Sequence, residues 1–234
     1  MPLGIDPSKI RAVLFDVDGT LVDTLDGVVR GLGDASVQFF GYRPSDHLIR
    51  GLVGRPIRVQ LQTFAGKEID PAALDAMADY TIDRFEHYKN LERLFEPAVE
   101  ALLLCHRCGL KVGLVTSKSA RELELFLPRF SGTEAVEAAV CSSDVRSPKP
   151  APDCALLACE RLGVPPSQAV FIADSIYDVR CAHDAGMPAV AVAYGSAPLD
   201  DLRAESPEVL LETPEALLEW VQASLAPLPC PERS

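Results

Sequence analysis

Five short apolar runs, at residues 12–15, 110–116, 135–141, 169–173 and 188–192, constrain this chain more than any other feature. Each is dominated by Val, Ile, Leu, Phe and Ala and is too short for an ordinary helix, which marks it as a buried strand. Between and after the later runs lie stretches with helical length and periodicity, at 98–108, 120–130, 151–162 and 176–185. Strands alternating with helices pair in parallel through right-handed crossovers, with helices on both faces. The expected fold class is therefore α/β, with a doubly wound, Rossmann-like parallel sheet. Residues 210–225 should add a last short strand or loop and a helix, and 227–234 a frayed tail.

One interval breaks the alternation. Between residues 21 and 92 no second strand-like run occurs, and Leu25, Val28, Val29, Leu32 and Phe39 recur at helical spacing. Helices near 24–40, 46–50, 55–65 and 71–88 would form a small bundle, with a turn around Gly41 and Pro44 and with Pro71 at a favoured first-turn position. The expected organisation is a core of 1–20 and 93–226, an all-helical insertion at 21–92, and the tail.

Composition narrows the partners. The chain of 234 residues carries a formal net charge of −12, which argues against nucleic acid or an anionic membrane as the main partner. A local positive site can still take a small anion. Seven cysteines, an odd number scattered through apolar patterns, do not resemble a secreted disulfide framework. Cys105-His106-Arg107-Cys108 lacks a second pair at metal spacing and reads as structural. The first eleven residues have no signal-peptide layout, and no apolar run approaches the ~18 residues that cross a bilayer. The expectation is a cytoplasmic protein, monomer or homodimer, that touches neither membrane nor nucleic acid.

Polar residues cluster where the apolar runs stop. Asp16 and Asp18 end the first, Thr116, Ser117 and Lys118 the second, and Asp174 and Asp178 follow the fourth, while Lys149 stands between Pro148 and Pro150. An open α/β sheet binds its ligand outside the C-terminal ends of its strands. In an extended chain side chains at i and i+2 share a side, so Asp16 and Asp18 should lie together, and two such charges call for a cation or proton between them.

In order and placement these residues resemble the haloacid dehalogenase-like superfamily of phosphohydrolases: Asp16 to Thr20 matches its Asp-x-Asp-Gly-Thr motif, Thr116 its second, Lys149 its third, and Asp174 with Asp178 its fourth. Relatives commonly have Gly where this chain has Ala173. The resemblance implies a phosphoric monoester hydrolase in which Asp16 is the nucleophile and Asp18 the general acid and base. It implies Mg²⁺ on the Asp16 carboxylate, the Asp18 carbonyl and Asp174, with Asp178 in support. Lys149 would stabilise the phosphoryl charge, and Thr116 would bind a phosphoryl oxygen at a helix N-terminus, with Ser117 beside it.

An insertion directly after the first motif resembles the branch with a helical cap, hinged near residues 21–23 and 91–97. Substrate choice would then fall to cap residues, Arg55 foremost, with Arg58 and His47 behind it. The expected function is a phosphoglycolate-phosphatase-like, Mg²⁺-dependent hydrolysis of a small phosphorylated metabolite through an aspartyl phosphate. The alternatives are a β-phosphoglucomutase-like isomerase and a non-catalytic binding protein. Dehalogenases lack the second acid, here Asp18, and a phosphonatase would also need a cap lysine.

Overall fold

The computed structural model describes residues 5–225. The expected tail, with Cys230, lies outside them. The chain runs β1 (Ala12–Phe15), β2 (Val22–Asp23), α1 (Leu25–Phe40), α2 (Asp46–Arg50), α3 (Ile57–Ala65), α4 (Pro71–Tyr88) and β3 (Arg93–Leu94). It continues through α5 (Glu96–Arg107), β4 (Lys111–Val115), α6 (Ala120–Phe126), β5 (Ala138–Val140), α7 (Asp153–Leu162), β6 (Ala169–Ala173) and α8 (Ile176–Asp184). It closes with β7 (Ala189–Val192), α9 (Leu199–Ala204), β8 (Val209–Leu211) and α10 (Pro214–Ser224).

Six strands form one parallel sheet in the order β5-β4-β1-β6-β7-β8. The chain leaves β1 toward β4 on one side and returns to β6 on the other, so β1 lies at the switch point where such sheets open a crevice. Val13 and Phe15 pack with Val170, Ile172, Leu102 and Leu217 on one face, against α5 and α10. Ala12 and Leu14 pack with Phe171, Ala155, Val179 and Leu202 on the other, against α7, α8 and α9. Burial on both faces is why these strands read as continuous apolar runs. Ala173 belongs to the second cluster and is buried there, so its methyl group is accommodated.

Helices α1–α4 gather around their own apolar cluster, which includes Leu32, Ile49, Leu61 and Ile82. α4 starts where Asp70 accepts from the Ala72 and Ala73 amides and Pro71 fills the first turn, and α1 ends on Gly41 in the left-handed region. The two ends of this segment meet. Val22 pairs with Leu94 and Asp23 with Arg93 as a two-stranded antiparallel ribbon, and the Phe95 amide donates to the Leu21 carbonyl at 2.9 Å.

That ribbon escapes sequence reading, since two-residue strands carry no periodicity. Neither does α9 show in the sequence. Other corrections are of extent: α6 gives way to a 3₁₀ turn at Leu127–Arg129, where Pro128 cannot continue it, and α7 starts only after Pro150 and Pro152. β4 stops at Val115, one residue before Thr116.

Candidate active site

The centre of the site is the end of β1. The Asp16 amide donates to the Ile172 carbonyl at 3.0 Å, which extends the pairing with β6 by one residue and buries the Asp16 carboxyl. The chain then turns: the Gly19 amide donates to the Val22 carbonyl at 2.8 Å, and those of Thr20 and Leu21 return to Val17. Gly19 sits at φ +82°, and a Cβ there would fall 2.1 Å from Asp174 Oδ2, so geometry and space both require glycine.

Asp16 and Asp18 line one cavity, and the Asp18 charge adds to those that raise the Asp16 pKa, but the two carboxyls have different partners. Asp18 is part exposed and pairs with Lys118, Nζ to Oδ1 2.8 Å, outside the cluster that Asp16 joins.

Lys149 is the hub of that cluster. Its Nζ lies 3.0 Å from Asp16 Oδ1, 2.5 Å from Asp178 Oδ1 and 3.3 Å from the Val115 carbonyl, and all three side chains are essentially inaccessible. Asp178, in the first turn of α8, also accepts from the hydroxyl of Ser175, the residue that caps that helix. Asp174, beyond the end of β6, accepts from the Ser196 amide and hydroxyl, each at 2.7 Å, and from Thr20 Oγ1 at 3.3 Å. Carboxylate oxygens of Asp16, Asp174 and Asp178 come within 4.8 Å of one another.

Three buried carboxylates face one buried ammonium. Burial pushes Asp16 well above the ordinary carboxylate range, against the pull of Lys149 and with the added repulsion of Asp178 and Asp174. Burial, then Asp178, pushes Asp174 up to about 6, although the bonds from Ser196 oppose it. Burial alone would lower the Lys149 pKa, but Asp16 and Asp178 hold it above its ordinary value and the ammonium stays charged. With every carboxylate ionised the cluster carries an excess of negative charge and an all-oxygen donor set, which fits a small hard cation such as Mg²⁺.

Lys118, which the sequence places with Thr116 and Ser117 where the second run stops, gains a role only from its contact with Asp18. It lies over the Phe126 ring at 5.8 Å. Against the lowering effect of its burial, the charges of Asp18 and Glu122 raise its pKa. Glu122 is held in turn by the Ser119 amide and hydroxyl in the capping box that starts α6. Ser196 and Gly195 follow the last buried run and carry no motif, yet both reach Asp174. A Cβ on Gly195 would lie 2.4 Å from Asp174 Oδ2 and 2.4 Å from the Gly19 carbonyl, so that loop packs directly over the acid.

Other expected residues sit differently. Thr116 is buried, and its hydroxyl accepts from the Lys118 amide at 3.2 Å; α6 is capped by Ser119, so Thr116 is not at the helix N-terminus. Ser117 donates to the Gly54 carbonyl at 2.6 Å, tying the α2–α3 loop to the sheet. Arg55, from the same loop, lies with its guanidinium 5.5 Å from the Tyr177 ring centre. Arg58 pairs with Asp75 at the surface, and His47 is exposed on α2. Cys105 faces the sheet core, and burial pushes its thiol up to about 12. A cavity of ≈ 60 Å³ joins Asp16, Asp18, Ser117 and Lys118 on the sheet side to Arg55 and Gln60 on the helical side.

Comparison with known proteins gives the family. The model of the haloacid dehalogenase-like hydrolases matches residues 13–192. An N-acetylmuramic acid 6-phosphate phosphatase of Pseudomonas aeruginosa is 33% identical over 80% of this chain and 83% of its own. A phosphoglycolate phosphatase of Salmonella paratyphi A is 29% identical, covering 87% and 89%. A hydrolase of Pseudomonas syringae shares the fold with a TM-score of 0.81 at 22% identity, covering 91% of this chain and 98% of that one. Among the described residues no helix is long and apolar enough to cross a membrane. With its acidic first motif ending the central strand and a buried lysine and two further aspartates gathered around it, this chain belongs to the haloacid dehalogenase-like hydrolases.

Proposed function

We propose that the protein is a Mg²⁺-dependent phosphatase of a small phosphorylated metabolite. The observation that carries this reading is Lys149 clamped between Asp16 and Asp178, with Asp174 within ligand distance, at the switch point of the sheet. The phosphatase names of the relatives support it. Asp16, Asp174 and Asp178, with the Asp18 carbonyl, would hold the cation. Mg²⁺ there supplies the positive charge that lets a carboxylate approach a phosphate dianion.

The chain's own groups divide the remaining work. Uncatalysed phosphomonoester hydrolysis is so slow that roughly 20 kcal/mol or more of barrier lowering is needed. An Asp16 oxygen attacks phosphorus, the bond to the ester oxygen breaks, and Asp18 protonates the departing alkoxide. Water, giving its proton back to Asp18, then attacks the aspartyl phosphate and frees inorganic phosphate and Asp16. Lys149 offsets charge on the nucleophile and phosphoryl oxygens from a site that excludes water.

Residues 21–92 act as a cap on the core of 1–20 and 93–226, hinged at the β2–β3 ribbon. The ≈ 60 Å³ cavity holds only on the order of four or five waters, so the substrate enters by displacing the cap. The buried thiols of Cys105, Cys141, Cys154, Cys159 and Cys181 support a cytoplasmic setting.

Phosphate release from a panel of sugar, polyol and carboxylic-acid phosphates tests the reading. Release should require Mg²⁺ and be lost in Asp16→Asn with the fold retained. A rearranged sugar phosphate without release would favour the isomerase, and an untouched panel the non-catalytic protein.

A further inference from the structure

Gln60, on α3, is a buried polar side chain left half satisfied. It is 4% exposed, and its Nε2 donates to the Arg55 carbonyl at 2.7 Å. That bond fixes which way the amide points, because a backbone carbonyl is an acceptor only and must face the NH₂ group. The Oε1 on the other side of the amide is buried and finds no hydrogen-bond partner among the described residues. The cavity that Gln60 lines has apolar walls at Val53, Ile57, Ile82 and Phe85 and side-chain donors at Arg55, Ser117 and Lys118, none of which bonds this oxygen.

The Arg55 Nε is in the same condition. It is buried and has no partner among the described residues, and Arg55 lines the same cavity. Buried polar atoms almost always find partners, and the exceptions call for a reason. Here a residue with an orphan acceptor and one with an orphan donor, joined through one hydrogen bond, both line the cavity that also holds Asp16 and Asp18.

We propose that Gln60 is a specificity residue: together with Arg55 it selects phosphomonoesters whose leaving group carries a hydroxyl. This rests on the phosphatase reading of the site. The substrate hydroxyl donates to Gln60 Oε1, while an oxygen of the same group accepts from Arg55 Nε. A leaving group with acceptors alone, such as a carboxylate, answers Arg55 but leaves Gln60 unmatched. One with neither strands both. The room for a polyol or sugar lies beside the site, since Ile57, Ile82, Ser117 and Glu122 line both the small cavity and a neighbouring cleft of ≈ 660 Å³.

The test uses matched substrates. For the full-length protein with Mg²⁺, kcat/KM is measured for glycerol 3-phosphate against propyl phosphate, and for glucose 6-phosphate against cyclohexylmethyl phosphate, with phosphoglycolate alongside. The wild type should favour the hydroxylated member of at least one pair by roughly 10- to 100-fold, the range expected when a buried polar group is left unmatched. Gln60→Met keeps the bulk of the side chain and removes the acceptor, and should shrink that ratio at least about tenfold. A merely structural role, bracing the Arg55 loop, would lower all substrates together and leave the ratio unchanged. Wild-type ratios within about twofold in both pairs, phosphoglycolate as the best substrate, or an unchanged ratio in Gln60→Met would each overturn the proposal. If Gln60→Met does not fold, the wild-type pairs decide. Failure to release phosphate from any member, p-nitrophenyl phosphate included, would instead overturn the phosphatase reading.

Discussion

Replacing Asp174 with Asn should make the metal-free protein more stable while weakening its hold on Mg²⁺. Burial and the Asp178 charge move Asp174 from an ordinary value of 3.8 to about 6. At about 1.36 kcal/mol per unit, ionising this group in the folded state costs roughly 3 kcal/mol at pH 7.5. The sign follows from proton binding. Well below 3.8 both states hold the proton and there is no cost; as the pH rises from there toward 6 the unfolded chain ionises first, so stability falls, and well above 6 the whole penalty is present. Asn carries no charge, and its carbonyl oxygen can still accept from Ser196, although its NH₂ group fits the Thr20 side less well. A net gain of about 1–3 kcal/mol is therefore expected, or roughly 3–10 °C in Tm for a chain of this size. Thermal unfolding in EDTA at pH 7.5 and pH 4.5 measures it. The gain should shrink toward zero at the lower pH, and saturating Mg²⁺ should stabilise wild type more than the variant. No gain at pH 7.5, or an equal gain at both pH values, would refute the electrostatic account.

Three further outcomes follow from the same geometry. Lys149→Met leaves Asp16 and Asp178 buried without a countercharge and should cost about 3–5 kcal/mol of stability, read by urea unfolding in EDTA; an unchanged midpoint would show that the carboxyls protonate at no cost. Gly195→Ala drives a methyl group against Asp174 and the Gly19 carbonyl, and should weaken Mg²⁺ binding about tenfold or more by calorimetry while circular dichroism stays native. Asp18→Asn removes the carboxyl that meets Lys118 and should slow alkyl phosphates about tenfold more than p-nitrophenyl phosphate, whose leaving group needs no proton; equal losses would count against Asp18 as the acid.

Much of this protein was decided locally. Burial on both faces wrote β1, β6 and β7 into short apolar runs, and a strand that ends in an acid places that acid at the mouth of the sheet whatever packs around it, so Asp16 and Asp174 could be located from their own neighbourhoods. The helical character of residues 24–88 was equally local, a matter of spacing and of stops such as Gly41 and Pro71. What depends on packing between distant segments was not readable in the same way. The spacing of Asp16 and Asp18 brings both to one site, but only packing shows that Asp18 meets Lys118, one hundred residues on. Ser196 reaches Asp174, Ser117 reaches Gly54, and the β2–β3 ribbon closes only because the sheet and the helical bundle meet there. Gln60 is the sharpest case: on α3 it reads as one more polar position among Leu and Ile, and only burial of its amide against the cavity turns it into an acceptor waiting for a donor. Sequence by itself determined which atoms could do chemistry; tertiary structure decided which of them face one another, because burial and mutual distance are properties of the packed chain and of no single segment.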